Sequence, residues 1–247
     1  MEELRIDPSI MYDVVPLPSQ GIHYENNKKS VRVAYLTAAD ENILMSPNLL
    51  QSDTVVSELL KRKVLDRDLN LEELVDEDKQ AILLFLRNTA FGSDYKVKLT
   101  DPKTNKVFET ILDISVLKTK ELKLISDEKS EFEYYLPISK RTLKFKFLNK
   151  KQELELEKIR NSSDGVVPIN TKRLEFMIKS IDGDRNQMTI YQFIQIMPIK
   201  DSQDFKKFVD ENKPGLDLIV ETIAPSGEKV PVYVDFGVEF FRPFYGI

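Results

Sequence analysis

The stretch DEDKQAILLFLRNTAF at residues 76–91 begins with three acidic residues and continues into a six-residue apolar block, Ala81–Leu86. Carboxylates in a first turn are stabilised by the positive end of a helix dipole. The block is wider than the apolar stripe of a surface helix, so most of the helix circumference should be buried. Gly92 follows directly and is typical of a helix end. The sequence therefore predicts a buried helix over 76–91.

The residues after this helix change to a two-residue period. Tyr95, Val97 and Leu99 alternate with lysines, a polar turn occupies 101–106, and a second alternating run covers 108–114. Alternation on both sides of a turn is typical of two paired strands. We therefore expect a β-hairpin over 94–114.

The same order of helix and hairpin recurs nearer the C-terminus. An amphipathic pattern over 201–212 precedes two alternating runs, 216–222 and 230–236, which a Pro-Ser-Gly turn separates. We therefore predict an α+β fold with two similar halves, each with helices followed by an antiparallel β-hairpin. An old duplication is the corresponding hypothesis.

Further helices and strands are predicted between and around these two units. The predicted strands cover 31–35, 133–136 and 143–147, and helices are predicted to start at Thr37 and at Ser52–Asp53. A charged helix is predicted over 150–160. Two more helices are predicted, one with Leu174, Ile178 and Ile181 on one face and one with Ile190, Phe193, Ile194 and Met197 on one face.

Four ranges describe the expected domain organisation. Residues 1–30 contain three prolines, one glycine and a polar run, and are predicted to be an extended N-terminal arm with little secondary structure of its own. Residues 31–120 form the N-terminal α+β half, and 121–170 a strand-rich connector with a charged helix. Residues 171–247 form the C-terminal α+β half with an aromatic tail.

The composition of the 247 residues argues against several kinds of chemistry. The chain has no cysteine and one histidine, His23, whereas Ser-His-Asp triads and two-His zinc sites need imidazoles in defined places. Its 36 basic and 41 acidic residues are interspersed and give a net charge of −5, which does not favour a nucleic-acid binder. The acidic N-terminus lacks a signal-peptide apolar run, and no window predicts a membrane span. We predict no catalytic residues, no cofactor and no metal site.

Two acidic runs imitate calcium loops in part. Asp66–Asn70 with Glu77 has the spacing of the oxygen ligands, but Leu71 occupies the position that needs glycine. Asp182–Asn186 has a similar first half, but Phe193 occupies the position of the bidentate glutamate. We interpret both runs as helix caps and acidic turns. His23 is likewise interpreted as a structural residue.

Two alternative functions stay open at this point. A cell-wall hydrolase of the glycosidase class would need a carboxylic acid in an apolar pocket, for which Glu133 between Phe132 and Tyr134 is the candidate. A nucleic-acid-binding accessory protein would use the basic residues Lys140, Arg141, Lys144 and Lys146.

The two ends of the chain are the candidate partner-binding segments. The last twelve residues include five aromatics and an arginine, residue types that are enriched at interface anchors. The alternative is that these aromatics fold back on the chain's own core. The predicted partner-binding residues are Leu17, Pro18, Gly21, Tyr24, Phe240, Phe241, Arg242, Phe244 and Tyr245.

The order and spacing of several segments resemble the base plate protein family of T-even-type contractile-tailed phages, which comprises baseplate hub and hub-assembly proteins. The segments are Leu17–Tyr24, Val31–Leu36, Thr37–Leu44 and Leu86–Tyr95, with weaker similarity at Leu136–Pro137, Leu143–Leu148 and Phe240–Pro243.

The resemblance implies a non-enzymatic phage tail protein, made late in infection in the host cytoplasm. It would join the central hub or assist its assembly like a chaperone, with other hub proteins as partners. Some family members carry metal-ribbon cysteines at the hairpin turns, whereas this chain has Asp101–Asn105 and Ala224–Gly227 there. The turns should therefore be held by hydrogen bonds and proline. Presence in the virion, stoichiometry and oligomeric state stay open.

Overall fold

A computed structural model of the chain describes residues 9–44, 46, 54–120, 122–162 and 168–241. Runs of helices and runs of antiparallel strands follow one another along this part of the chain, so the predicted α+β class is confirmed. The helices are α1 (Ala38–Leu44), α2 (Val55–Lys63), α3 (Asp76–Phe91), α4 (Lys150–Ser162), α5 (Ile169–Met177), α6 (Gln187–Ile196) and α7 (Ile199–Asn212). The strands are β1 (Tyr12–Pro16), β2 (Ser30–Ala34), β3 (Asp94–Thr100), β4 (Val107–Asp113), β5 (Thr119–Lys120), β6 (Phe132–Leu136), β7 (Arg141–Phe145), β8 (Ile178–Ile181), β9 (Gly215–Leu216), β10 (Ile219–Ile223) and β11 (Lys229–Tyr233).

Helix α3 has the bounds that its sequence predicts. Ile82, Leu83 and Leu86 are at most 1% exposed, and the backbone of Gly92 has a φ of 77° where the helix ends. A positive φ is readily adopted by glycine because it has no Cβ atom. The wide apolar block therefore buries α3 in the interior, with β3 starting at Asp94 directly beyond it.

The strands of the described residues form five small antiparallel sheets. Four of them are pairs, β1–β2, β3–β4, β5–β9 and β10–β11, and the fifth has the order β6–β7–β8. The hairpin predicted over 94–114 is the β3–β4 pair, and the hairpin predicted over 216–236 corresponds to β10–β11.

The first of two hydrophobic clusters takes its side chains from both ends of the chain. Helix α3 lies within it, and the inner faces of both hairpins pack on it. Its buried members are Val15, Leu17, Tyr24, Val31, Val33, Ile43, Leu44, Val55, Val56, Leu59, Leu60, Val64, Leu69, Leu74, Val75, Ile82, Leu83, Leu86, Leu112, Ile114, Leu117, Val220, Val232, Val234, Phe240 and Phe241.

The second cluster comes from the middle of the chain and is rich in aromatic rings. Its buried members are Phe132, Leu136, Leu143, Phe145, Phe147, Leu174, Met177, Ile178, Ile181, Ile190, Ile194, Phe205 and Val209.

One local prediction is wrong. Helix α5 ends at Met177, and Ile178–Ile181 forms strand β8 instead of continuing the helix. Pairing of β8 with β7 overrides the local pattern there. In the arm, the described residues contain one five-residue strand, β1, which pairs with β2 from Tyr12 opposite Ala34 to Pro16 opposite Ser30.

The buried side chains group differently from the four predicted domain ranges. Helix α7 contributes Phe205 and Val209 to the second cluster, whereas β10 and β11, which follow it, contribute to the first. The arm also belongs to the first cluster through Val15, Leu17 and Tyr24. The clusters therefore do not follow those ranges, which stay a prediction, as does the duplication.

Candidate functional site

A buried carboxylate attaches the predicted arm to helix α3. Asp78 is fully buried and accepts hydrogen bonds from the Ser19 hydroxyl at 2.5 Å, the Ser19 amide at 2.9 Å and the Tyr24 hydroxyl at 2.6 Å. Burial raises the pKa of Asp78, against the opposing effect of these hydrogen bonds. Burial and the Asp78 carboxylate together raise the pKa of the Tyr24 hydroxyl. This group therefore fixes the arm in place.

A second polar group lies where the two clusters meet. Lys213 forms ion pairs with Glu77 and with Glu153, the latter at 3.2 Å. Burial lowers the pKa of Lys213 and raises that of Glu153. Burial, together with the charge of Lys213, also lowers the pKa of His23 from 6.5 to about 4.

Glu77 and Glu153 meet at Lys213 with 11% and 25% of their side chains exposed, and a glycosidase likewise places an acid near a second carboxylate. Here one ammonium group holds both carboxylates. The adjoining cavity, lined by Glu153 and Lys213, has a volume of about 180 Å³. Ligand pockets usually have about 300–1,000 Å³. The arrangement is that of a partly buried ion-pair group that joins the two clusters.

The turns of the two hairpins are joined by a hydrogen-bonded clasp, formed by Asp101 and Ser226. The Asp101 carboxylate accepts hydrogen bonds from the Ser226 hydroxyl at 2.7 Å and the Ser226 amide at 3.0 Å. It also accepts the amides of Lys103 and Thr104 within its own turn. Burial alone would raise the pKa of Asp101, but these hydrogen bonds lower it to about 2. The prediction that hydrogen bonds hold these turns is consistent with this geometry.

Arg87 attaches the C-terminal segment to helix α3. Its buried guanidinium donates to the carbonyl oxygens of Phe240 at 2.9 Å, Gly92 at 2.6 Å and Asp94 at 2.8 Å. Burial lowers the pKa of Arg87. Because Phe240 and Phe241 are themselves fully buried, this contact fixes the last described residues inside the first cluster.

The structure does not bring the two calcium-like runs together as ligand sets. Asp66 accepts hydrogen bonds from Arg32, and Glu77 is paired with Lys213. In the other run Asp182 pairs with Arg141, and Asn186 caps helix α6 through the amides of its first turn. Within the described ranges, no group of three or more His, Asp or Glu side chains could hold a metal ion.

The candidate residues of the two alternative functions lie on β6 and β7 or directly beside β7. Glu133 is exposed on β6, opposite Lys144 of β7, and so does not lie in an apolar pocket. Lys144 pairs with Asp127 at 2.7 Å, and Arg141 pairs with Asp182 at 2.8 Å. The geometry therefore does not support a glycosidase acid at Glu133, and two of the four predicted basic residues are paired with carboxylates.

Six of the nine predicted partner-binding residues lie in the interior. Leu17, Tyr24, Phe240 and Phe241 are at most 8% exposed. Pro18 and Gly21 are also buried, while Arg242, Phe244 and Tyr245 lie outside the described residues. Gly21 is needed at its turn, because a Cβ atom there would approach the Asn27 carbonyl carbon to 2.5 Å. Packing accounts for the six buried residues, and partner binding by any of the nine stays a prediction.

The surface instead presents apolar side chains that the sequence analysis did not single out. On the outer face of the β10–β11 hairpin, Ile219, Ile223 and Tyr233 are 58%, 68% and 64% exposed. Strand alternation contains this signal, because Ile219 and Ile223 alternate with the inward-facing Val220 and Thr222 and must point outward. Apolar residues at such positions are available to a partner protein.

Two further apolar surfaces lie on β1 and on helix α6. Met11 and Val14 are 73% and 60% exposed at β1, and Met188 and Ile196 are 63% and 78% exposed on α6. A surface groove of about 580 Å³ lies beside Met188, between α5 and α6, with Lys172, Lys179, Arg185 and Glu175 among its lining residues. Among the helices described here, none has the length and apolar character needed to cross a bilayer.

Comparison with known proteins identifies the family. The family model described as T4 bacteriophage base plate protein matches residues 19–242. Searches of curated proteins and of solved structures gave no significant match. The family match covers the second cluster, the first cluster except Val15 and Leu17, the ion-pair group between them, and the hairpin clasp. The chain therefore belongs to the T4 bacteriophage base plate protein family.

Proposed function

We propose that the chain joins the central baseplate hub of a contractile phage tail, or assists its assembly, through protein–protein contacts and without catalysis. The family match over residues 19–242 is the observation that carries this proposal. As a base plate protein, the chain has other base plate proteins as its partners. Its place of action is the host cytoplasm during assembly, and then the virion tail if it is retained.

The distribution of polar and apolar groups supports an interaction role. Asp78, Arg87 and Asp101 are occupied by contacts that hold distant parts of the chain together. The exposed apolar side chains of β1, α6 and the β10–β11 hairpin are available for contacts with neighbours. Contacts of this kind are what an assembly component needs.

Size-exclusion chromatography tests the proposal directly. The purified chain is mixed in turn with each purified hub protein of the same phage, and each mixture is compared with its separate components. We expect at least one hub protein to elute with the chain as a larger complex. Elution of the chain at its own volume with every hub protein would contradict the proposal. Turnover of a cell-wall polymer by the purified chain would contradict its non-enzymatic part.

A further inference from the structure

The hydrogen-bond pattern of β1 shows which of its backbone groups face β2. The Tyr35 amide donates to the Met11 carbonyl at 3.1 Å, and the Leu17 amide donates to the Lys29 carbonyl at 2.8 Å. The odd-numbered residues of β1 are therefore bonded to β2. Because successive backbone groups of an antiparallel strand alternate in direction, the N–H and C=O groups of Tyr12 and Val14 point away from β2.

The other edge of β2 confirms this alternation. Arg32 lies opposite Val14 in the register. The Arg32 amide donates to the Asp66 carboxylate at 2.7 Å, and its carbonyl accepts the Leu65 amide at 2.9 Å. Arg32 thus turns its backbone groups toward the segment after α2, away from β1. One edge of the sheet is covered by this segment, and β1 is the strand at the other edge.

The outward backbone groups of Tyr12 and Val14 have no hydrogen-bond partner within the described parts of the chain. The side chains along the same edge are apolar and exposed: Met11 is 73%, Tyr12 40% and Val14 60% exposed. Unpaired backbone groups beside exposed apolar side chains are the features that allow another strand to pair.

The other hairpins carry features that protect strand edges, and β1 carries fewer of them. Lys96 and Lys98 are exposed on β3, and Pro231 lies in the middle of β11. Charged side chains and prolines of this kind hinder pairing with a further strand. In β1 the proline is the last residue, Pro16, and the one charged side chain, Asp13, accepts a hydrogen bond from Tyr35.

We propose that the free edge of β1 receives an extended segment of another base plate protein as an additional antiparallel or parallel strand. The occupant is an extended strand because the unpaired N–H and C=O groups of Tyr12 and Val14 need complementary backbone groups. Its side chains next to Tyr12 and Val14 are apolar. The family of the chain supplies the source of the strand, so this inference rests on the proposed function.

The substitution Val14→Pro tests the edge. The Val14 amide points away from β2, so proline removes an outward donor while leaving the β1–β2 hydrogen bonds in place. Val14→Thr is the matched control, because threonine keeps the amide and a β-branched side chain. Binding of each variant to the hub protein that elutes with the chain is measured by surface plasmon resonance. Hydrogen exchange of the Tyr12 and Val14 amides is followed in the free and bound wild-type chain.

We expect Val14→Thr to bind like the wild type and Val14→Pro to bind about tenfold more weakly. We also expect exchange of the Tyr12 and Val14 amides to slow in the complex. Equal binding of Val14→Pro, with unchanged exchange at both amides, would overturn the edge inference and leave the proposed function intact. If Val14→Pro does not fold, the exchange measurement on the wild-type complex decides.

Two other outcomes are distinguishable. Failure of every hub protein to bind would overturn the proposed function, and this inference with it. A concentration-dependent dimer of the chain, lost in Val14→Pro and observed by sedimentation, would identify a second copy as the occupant. That result would overturn the assignment to another base plate protein.

Discussion

The two hydrophobic clusters differ in where their side chains lie in the sequence. The buried members of the first lie within residues 15–117 and 220–241, whereas those of the second lie within residues 132–209. The first is held by contacts between distant segments, such as Arg87 with Phe240 and Asp101 with Ser226. The second is packed from aromatic rings of one stretch, with Phe145 and Phe205 centred 5.2 Å apart. The first cluster should therefore be the more sensitive to loss of a chain end.

Truncation after Gly237 should have the largest effect. It removes Phe240 and Phe241, which are fully buried, and the carbonyl group that Arg87 contacts. Loss of one buried phenylalanine costs about 3–5 kcal/mol, which is comparable to the whole stability of many domains. We expect loss of the thermal transition of the first cluster, measured by circular dichroism and by NMR signals of its methyl groups.

Truncation after Phe241 is the matched control, because it keeps both phenylalanines and the Arg87 contact. It should retain the thermal transition. If the shorter chain keeps a transition like that of the control, the buried packing of Phe240 and Phe241 is not what stabilises the first cluster.

Phe145→Ala should have the next largest effect, confined to the second cluster. The Phe145 ring is fully buried and contacts the rings of Phe132, Phe147, Phe205 and Phe208. We expect the free energy of unfolding in urea to fall by about 3–5 kcal/mol.

Tyr135→Ala on the neighbouring strand is the control for Phe145→Ala, because this aromatic side chain is 55% exposed. Its cost should be about 0.5 kcal/mol or less. Equal costs for the two substitutions would show that ring packing does not dominate the second cluster.

Protonation of His23, near the ion-pair group between the clusters, should give a smaller effect on the free energy of unfolding, and this effect depends on pH. Its pKa in the fold is about 4, against an ordinary 6.5, so the unfolded chain binds the proton more tightly between these values. The free energy of unfolding should therefore decrease as the pH falls from about 6.5 through about 4, and His23→Gln should remove this part of the pH dependence. Since the chain has one histidine, its ring resonances can be titrated directly by NMR. A midpoint near 6.5 would contradict burial of His23 beside Lys213.

Ser226→Ala should have the smallest effect of the four. It removes the hydroxyl donor to Asp101 but keeps the backbone amide donor. We expect a loss of about 1 kcal/mol in the free energy of unfolding, measured by urea denaturation. Ser57→Ala, at an exposed position of α2, is the control. A double-mutant cycle with Asp101→Asn isolates the pair, and a coupling energy of zero would contradict the clasp.

Local patterns were sufficient to predict much of the secondary structure. The acidic start, wide apolar block and Gly92 mark both ends of α3, and strict alternation marks the β3–β4 hairpin. Ile178 and Ile181 have spacing that suits a helix face, but they form β8, in which Ile178 pairs with Phe145 and Ile181 with Leu143. That pairing depends on residues far away in the chain, so the local period does not contain it.

The candidate sites were also hard to predict, because the position of their residues depends on contacts with distant parts of the chain. Phe240 and Phe241 have the composition of an interface anchor, and their burial depends on Arg87, which is 153 residues before Phe240. Tyr24 is buried against Asp78 of α3 in a similar way. The free edge of β1 was not foreseen, because it depends on the strand pairing that the arm was not expected to have.

The clasp joins Asp101 to Ser226, which is 125 residues later in the chain, so it can form only late in synthesis on the ribosome. Every side chain of the second cluster is synthesised before strands β10 and β11, which the first cluster requires. Domains generally fold as units while synthesis continues. The nascent chain can therefore pack the second cluster before β10 and β11, which complete the first cluster, have been synthesised. A neighbouring base plate protein meets a finished first cluster only after the second hairpin has been synthesised.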